Sequence, residues 1–306
     1  AGFNITTGSE NTIFGSQAGY NLTTGINNVA MGSNALMNTN TESLNTALGH
    51  HAAKDLSGGQ YNTAVGAYAM DEATTADYCT VIGYEAAGAG TMTGAYNTLV
   101  GVQAGKDMTS GTQNTIMGIE AGQNLTTGSY NVAMGRQSLN SATTTSDNTA
   151  LGYNAGTNST GSNNVFLGKD AVAPSAGNSN LFIMGNSSTD NLRCNTQTIN
   201  SLSDERDKTD IVDLPIGLDF INKLRPVKFK WQTRDGNIKD GRIDAGFIAQ
   251  DLQTAQNENN ADYIRSVDES NPEKLAAAYS KLIPVLTQAI QELSAEVEQL
   301  KSQLNN

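Results

Sequence analysis

The chain has 306 residues, of which 38% are hydrophobic, and its formal net charge is −12. An acidic chain with no run of basic residues argues against nucleic-acid binding, and no apolar stretch approaches the roughly 20 residues that would span a bilayer. Two cysteines and two histidines make neither a disulfide framework nor a convincing metal site. We therefore expect no metal, no cofactor and no membrane insertion.

Charge density changes abruptly near residue 200. Only 17 of residues 1–200 are charged, against 31 of residues 201–306. This shift predicts two domains, over residues 1–190 and 203–306, joined by a linker over 191–202. Because the chain begins at Ala1 with no signal-peptide pattern, we interpret it as a fragment whose anchoring region lies upstream.

A five-residue phrase recurs eleven times in the first 185 residues. Most copies read Asn, then Thr or Val, then two apolar residues and Gly, and a small residue lies three positions after each of the first ten glycines. The glycines are 17 residues apart, except for one step of 18 and one of 16. They are Gly15, Gly32, Gly49, Gly66, Gly83, Gly101, Gly118, Gly135, Gly152, Gly168 and Gly185.

This period predicts an all-β repeat, a β-solenoid or β-roll with one coil per repeat. A 17-residue unit is too short for two helices and a loop. We expect two short strands per coil, positive φ at the glycine corners and close backbone approach at the alanines. We also expect the apolar residue just before each glycine to stack on its counterparts and form the core.

The phrase resembles the head repeats of trimeric autotransporter adhesins, in which an Asn-x-apolar-x-Gly phrase followed by a small residue also recurs. The resemblance covers about residues 8–185, although the period here is longer than is usual for those heads. Because a thin coil buries little apolar surface alone, the resemblance implies a trimer around a common axis.

Two repeat columns carry side chains that a catalytic or ice-binding solenoid could use. Glu85, Glu120 and Asp170 share the position two residues after the glycine, but amides hold five of the ten places that follow the first ten glycines. We interpret it as a polar ladder and not as the paired carboxylates of a glycan-cleaving enzyme. The threonine column of the phrase indicates packing and hydrogen bonding between coils rather than ice binding, and the Gly-Gly-x-Gly-x-Asp calcium pattern is absent.

Four sequence blocks follow the repeats. They are Ser203-Asp204-Glu205-Arg206-Asp207-Lys208 with Asp210-Ile211, then Leu224-Arg225-Pro226-Val227-Lys228-Phe229-Lys230-Trp231, then Gly246-Phe247-Ile248-Ala249-Gln250-Asp251, and last Tyr279 with Leu282-Ile283-Pro284. In this order they resemble the intramolecular chaperone domains at the ends of phage tail fibres, tailspikes and endosialidases, which have a relative in a membrane-bound transcription factor of animals. The resemblance implies a small α+β chaperone domain.

In that family a Ser-Asp-x-Arg-x-Lys motif carries a serine–lysine dyad, and the chain is cut just before the serine. The resemblance implies that Ser203 is the nucleophile and Lys208 its base. The scissile bond would join Leu202 to Ser203, and Asp204 and Arg206 would complete the motif. From spacing alone, Ser203 could instead cap a helix and Lys208 could be a surface lysine. Five residues is poor spacing for one helix face, so the pair is expected to meet on a turn or across subunits.

A lysine acts as a base only as the neutral amine. The acidic residues around Lys208 favour its charged form, so we expect reactivity to depend on the folded, assembled environment. Those residues are Asp204, Glu205, Asp207 and Asp210.

The C-terminal stretch predicts a long helix with a heptad seam, and Pro284 marks its beginning or a kink. β-Branched residues at the first seam position with Leu at the second favour a coiled coil of two helices, whereas the fibre resemblance implies three helices. A helix packed on its own domain is the alternative to a coiled coil. The seam residues are Ile283, Leu286, Ile290, Leu293, Val297, Leu300 and Leu304.

These patterns together predict a virion tail fibre or spike that attaches to a host receptor or glycan. Its homotrimer would be assembled by the C-terminal chaperone and then freed by one self-cleavage, the only enzymatic activity expected. A bacterial surface adhesin with the same assembler is one alternative, and a glycan-degrading tailspike is another.

Overall fold

The computed structural model describes residues 1–189, 192–193, 203–234 and 239–305. The chain divides into two compact units, Ala1–Asn186 and Ser187–Asn306. Among the described residues, no helix has both the length and the apolar character to cross a membrane.

The first unit is a β-solenoid with one coil per repeat, as predicted. Eleven strands pair in parallel in chain order to form a single sheet. Each coil contributes one strand of three residues, rather than the two strands that we expected, and turns make up the rest of the coil. The strands are Thr12–Phe14 (β1), Val29–Met31 (β2), Thr46–Leu48 (β3), Thr63–Val65 (β4), Thr80–Ile82 (β5), Thr98–Val100 (β6), Thr115–Met117 (β7), Val132–Met134 (β8), Thr149–Leu151 (β9), Val165–Leu167 (β10) and Phe182–Met184 (β11).

Glycine ends each strand because the backbone there is both left-handed and crowded. Gly66 has φ of +131°, and a Cβ at this position would lie 2.5 Å from the carbonyl oxygen of Gly83 in the next coil. No side chain fits such a position. The strands therefore stay in register through the 18- and 16-residue steps, with Gly pairing beside Gly in successive coils.

The core of the solenoid differs from our expectation. From β2 to β10 the buried residue of each strand is its middle one, such as Ile116, and the residue just before the glycine, such as Met117, points outward. Successive residues of a strand face opposite sides, so only the middle position of a three-residue strand can point inward. The small residue after each glycine, Ala121 in this coil, completes the core.

A ladder of buried asparagines runs along the solenoid beside this core. The backbone N–H of Asn62 donates to Asn45 Oδ1 at 2.9 Å, and Asn62 Nδ2 donates to the same oxygen and to the Ala76 carbonyl. Each side chain thus joins two or three coils. Cys79 interrupts the ladder, because its position is the one that asparagine holds in nine of the other coils.

The column that contains Glu85, Glu120 and Asp170 is hydrogen bonded along the solenoid, as expected of a polar ladder. Gln103 Nε2 donates to Glu85 at 2.8 Å, Gln137 Nε2 donates to Glu120 at 2.6 Å, and an asparagine donates to Asp170. These carboxylates are engaged by amides of neighbouring coils.

The second unit is a small α+β structure, as predicted. It contains two antiparallel pairs of strands, Val227–Lys230 (β12) with Ile243–Gly246 (β13) and Val267–Asp268 (β14) with Ala276–Ala277 (β15). Its buried centre is made by Phe220, Leu252, Ala255, Ala261, Ile264, Val267, Leu282 and Val285. The elements are α1 (Leu218–Lys223), β12 (Val227–Lys230), β13 (Ile243–Gly246), α2 (Ala249–Glu258), β14 (Val267–Asp268), β15 (Ala276–Ala277) and α3 (Ile283–Leu304), with short 3₁₀ turns at Glu205–Asp207, Asp262–Ile264 and Tyr279–Leu282.

Helix α3 begins at Ile283, so Pro284 lies in its first turn, where proline is well tolerated. The helix contacts α1 and buries Val285 and Ala289. All seven residues of the heptad seam remain 40–86% exposed. The face that packs on the domain is therefore not the seam.

Candidate active site

The first sequence block of the second unit forms one tight turn. Asp204 is the N-cap of the 3₁₀ turn Glu205–Asp207, and its Oδ1 accepts the backbone N–H of Arg206 at 2.9 Å. The backbone N–H of Lys208 then donates to the Glu205 carbonyl at 3.0 Å and closes the turn. The capping residue is thus Asp204 and not Ser203, which leaves the serine hydroxyl available for another partner.

The turn brings Ser203 and Lys208 together. Lys208 Nζ lies 2.7 Å from Ser203 Oγ and 3.1 Å from the Ser203 carbonyl oxygen. A turn was one of the two arrangements that the spacing allowed. Leu202, the residue on the other side of the predicted scissile bond, lies outside the described residues, as does most of the predicted linker.

Asp204 and Arg206 hold the turn with a two-point ion pair. Arg206 Nη2 donates to Asp204 Oδ2 at 2.6 Å and Nε donates to Oδ1 at 3.0 Å. The Arg206 side chain, and then its backbone N–H, lower the pKa of the Asp204 carboxyl below its ordinary value. The ionised carboxylate is the form that caps the turn, so both residues act on the shape of the turn.

Both members of the pair are exposed in the single chain. A cleft of about 510 Å³ borders Lys208 and is lined by residues 208–215 and Tyr263. Ile211 and Val212 in its wall are largely exposed although they are apolar. The site is therefore open, and an added surface could cover it.

A hydroxyl at hydrogen-bond distance from an amine is the minimal arrangement for a serine nucleophile with a lysine base. When the amine is neutral it can accept the Ser203 proton, and when it is protonated it donates to Oγ instead. Nothing in this arrangement calls for a cofactor. Over the residues described, no three His, Cys, Asp or Glu side chains cluster in a way that could hold a metal ion.

A comparison with protein families finds a match that covers this turn. Residues 203–260 match the family model for the chaperone of endosialidase. The matched segment begins at Ser203 and takes in the first three sequence blocks, and it is less than half of the chain. Searches of curated proteins and of solved structures found no match. The prediction of an endosialidase-type chaperone segment after a β-solenoid is confirmed, while self-cleavage, trimer formation and the likeness of the repeats to adhesin heads stay predictions.

Inside the chaperone segment, the later blocks join parts of the fold. Arg225 pairs with Asp251 at 2.9 Å, which ties the second block to the third. The backbone N–H of Phe247 donates to the Tyr279 hydroxyl at 3.1 Å, which ties the third block to the fourth. A Cβ on Gly246 would lie 2.4 Å from that hydroxyl. These residues therefore support the chaperone fold rather than its chemistry.

Two buried or partly buried side chains with similar roles were missed in the sequence. Gln256 lies on helix α2, and its Oε1 accepts the backbone N–H of Ser266 at 2.7 Å. Glu292 on α3 accepts the backbone N–H of Leu218 at 2.6 Å and so satisfies the first turn of α1. In the sequence, the only signal for these two residues is a polar side chain at an inward position of a helix. That signal does not identify the group to which the side chain is hydrogen bonded.

Proposed function

We propose that the chain is part of a virion tail fibre or spike whose C-terminal unit gathers identical copies and then cuts itself off before Ser203. The observation that carries the proposal is the 2.7 Å approach of Lys208 Nζ to Ser203 Oγ at the first residue of the chaperone segment. A chaperone segment that follows a long β-solenoid suits a protein whose fibre is assembled with help. The fibre would attach to a host receptor or glycan.

In the proposed cleavage, the Ser203 hydroxyl attacks the carbonyl carbon of Leu202. Lys208 takes the hydroxyl proton and delivers it to the Ser203 nitrogen as the C–N bond breaks, so the acyl group moves from that nitrogen to the Ser203 oxygen. Water then hydrolyses the resulting ester. The products are a chain that ends in the Leu202 carboxylate and a released unit that begins with the free amine of Ser203.

The exposure of Lys208 in a single copy would delay cleavage until the copies assemble. Burial disfavours the charged form of an amine. Packing of a second copy over the open cleft beside Lys208 would desolvate the amine and generate the base. Cleavage would then follow assembly, which suits a chaperone that is needed only once.

The heptad seam of α3 is the surface that would gather the copies. Val285 and Ala289 already attach the helix to its own domain, so the seam is left for another chain. Seven apolar side chains spaced alternately three and four residues apart are typical of a coiled-coil contact. We propose a coiled coil of three α3 helices, one from each copy, because the fibre resemblance implies a trimer.

An assembler of this kind addresses a kinetic problem. Contacts between solenoids of different chains form slowly, since the chains must meet before any contact is stabilising. Unpaired strand edges aggregate in the meantime. A terminal clamp shortens the search, and its removal leaves a fibre whose persistence depends on the barrier to unfolding.

Intact mass of the denatured protein tests the cleavage. Wild type should split after Leu202 into pieces of 202 and 104 residues out of 306, whereas Ser203→Ala and Lys208→Ala should stay whole. Lys223→Ala, which removes an exposed lysine remote in sequence from the turn, is the matched control and should split like wild type. A wild type that stays whole after assembly would leave the chaperone without its proteolytic step.

A further inference from the structure

One face of the solenoid sheet carries an unbroken column of large apolar side chains on the outside. The column is the third residue of every strand, and we call it the apolar stripe. Eight of its eleven members are exposed by more than a third of their surface. The members are Phe14, Met31, Leu48, Val65, Ile82, Val100, Met117, Met134, Leu151, Leu167 and Met184.

The composition of the stripe differs from that of a solvated strand face. A sheet face in water carries polar residues in alternation with the buried ones, yet all eleven positions here are apolar. The first residue of each strand also points outward, and it is Thr or Val in every coil except the last. None of these 22 outward positions carries a charge, so the net negative charge of the repeats lies elsewhere on the coils.

The stripe supplies a large part of the apolar area that one partner contributes to an interface. Burying an aliphatic side chain contributes about 1.5–3 kcal/mol, at about 25 cal/mol per Å² of apolar area. A fully exposed aliphatic side chain therefore offers roughly 60–120 Å² of apolar area. At the exposures found, eleven of them present on the order of 300–600 Å². Tyr84, Val102, Ile119 and Tyr153, each two residues after a stripe position, are also exposed. A standard interface takes about 800 Å² from each partner.

We propose that the apolar stripe is the surface along which copies of this same chain pack, parallel and in register. A surface that repeats once per coil is complemented along its whole length only by a surface with the same spacing, and another copy supplies it. Because the stripe holds no charge, like residues of two copies can meet at equal height without repulsion. The parallel direction rests on the proposed function, since a C-terminal clamp brings the same ends of the chains together.

Cysteine cross-linking of the full chain tests the proposal. Met31→Cys and Leu151→Cys place a thiol near either end of the stripe, and Thr24→Cys and Thr144→Cys place one at exposed turns of the same coils. All four are made with Cys194→Ser. Native Cys79 stays, because it is buried and burial raises the pKa of its thiol to about 11. Mild oxidation with diamide should link each stripe variant to itself at least about tenfold faster than its turn control, as expected from a high effective concentration.

Each other outcome overturns a defined part of the proposal. Linkage only in a mixture of Met31→Cys with Leu167→Cys chains would mean antiparallel packing. A second outcome is that the stripe variants link no faster than the turn controls while the chain is still multimeric and cut before Ser203. That result would refute packing along the stripe and leave the proposed function standing. A wild type that is monomeric and whole would refute both.

A charge placed on the stripe gives a second measurement that does not depend on oxidation. Met117→Glu together with Met134→Glu should shift sedimentation toward smaller species in material whose terminal unit has been released. Ser110→Glu together with Thr127→Glu, on exposed turns, should not. Since the stripe points outward, the circular dichroism of the stripe variant should stay that of wild type. An unchanged multimer with glutamates at both stripe positions would overturn the proposal.

Discussion

Replacing Asn114 by alanine removes one rung of the buried asparagine ladder near the middle of the solenoid. Asn114 Nδ2 donates to Asn97 Oδ1 at 3.1 Å and to the Gly128 carbonyl at 2.9 Å, and its Oδ1 accepts the backbone N–H of Asn131 at 2.9 Å. Asn114→Ala takes these partners from two buried backbone groups, the Gly128 carbonyl and the Asn131 N–H. At about 1–3 kcal/mol for each group, local opening should become easier by about 2–6 kcal/mol.

Hydrogen exchange measured by mass spectrometry is the suitable assay, because the stability of a solenoid is local to neighbouring coils. A loss of that size corresponds to exchange that is faster by roughly 30-fold to 10⁴-fold. The change should appear in peptides from residues 112–134. Peptides from residues 28–50, several coils away, should exchange as in wild type and serve as the internal control. Unchanged exchange at residues 112–134 would refute the reasoning.

Cys79→Asn is the matched variant of opposite sign. Cys79 holds the asparagine position of its coil, and a neutral thiol is a weak hydrogen-bond group. Asparagine there can accept the backbone N–H of Asn97 and complete the ladder. A gain of about 1 kcal/mol should slow exchange nearby by roughly fivefold to tenfold. Faster exchange in both variants would mean that side-chain volume, and not hydrogen bonding, sets the stability of the column.

Two further predictions concern the chaperone unit. The Arg206 side chain lowers the pKa of Asp204, so the capped turn should be fully formed above the ordinary pKa of 3.8 and be lost only as pH falls through the lower pKa of the folded chain. The Arg206 amide can be followed by pH titration in Ser203→Ala protein labelled with ¹⁵N-arginine. A titration midpoint at or above the ordinary pKa of 3.8 would contradict this prediction. Ile290→Gln removes a seam residue whose burial is worth about 1.5–3 kcal/mol per chain, so it should weaken association about 10- to 100-fold per chain in sedimentation experiments. Ala295→Gln, on the opposite face of α3, is the control and should leave association unchanged. Equal effects of the two variants would exclude the seam as the contact.

The sequence predicted the solenoid well because glycine positions are dictated by the backbone. Gly66 and its counterparts cannot accept a side chain, so their spacing reports the coil length directly. The identity of the core residue was predicted wrongly for an equally physical reason. Ile116 and Met117 are adjacent and both apolar, and a three-residue strand is too short for alternation to reveal which of them faces inward.

The candidate site was predictable in its pairing but not in its support. The spacing of Ser203 and Lys208 left a turn open, whereas the capping role of Asp204 depends on the backbone angles of the turn. Partners far apart in the chain, such as Phe247 and Tyr279, follow from how the helices and strands pack, and no local pattern carries that information. Residues that shape a site from a distance were therefore the ones missed.

The first and last described strands of the solenoid sheet bear on the proposed assembly. Each of β1 and β11 pairs with one described strand only, and Phe14 and Phe182 in them are 72% and 64% exposed. Two associations then compete, edge pairing of one solenoid end with another and lateral packing along the stripe. Edge pairing needs only a few residues and can begin at any encounter, whereas lateral packing stabilises only when many coils are in register. In the proposed assembly, a seam that first joins the C-terminal helices would fix the direction of the chains and limit their relative shift, so it would favour the lateral route over the faster, open-ended one.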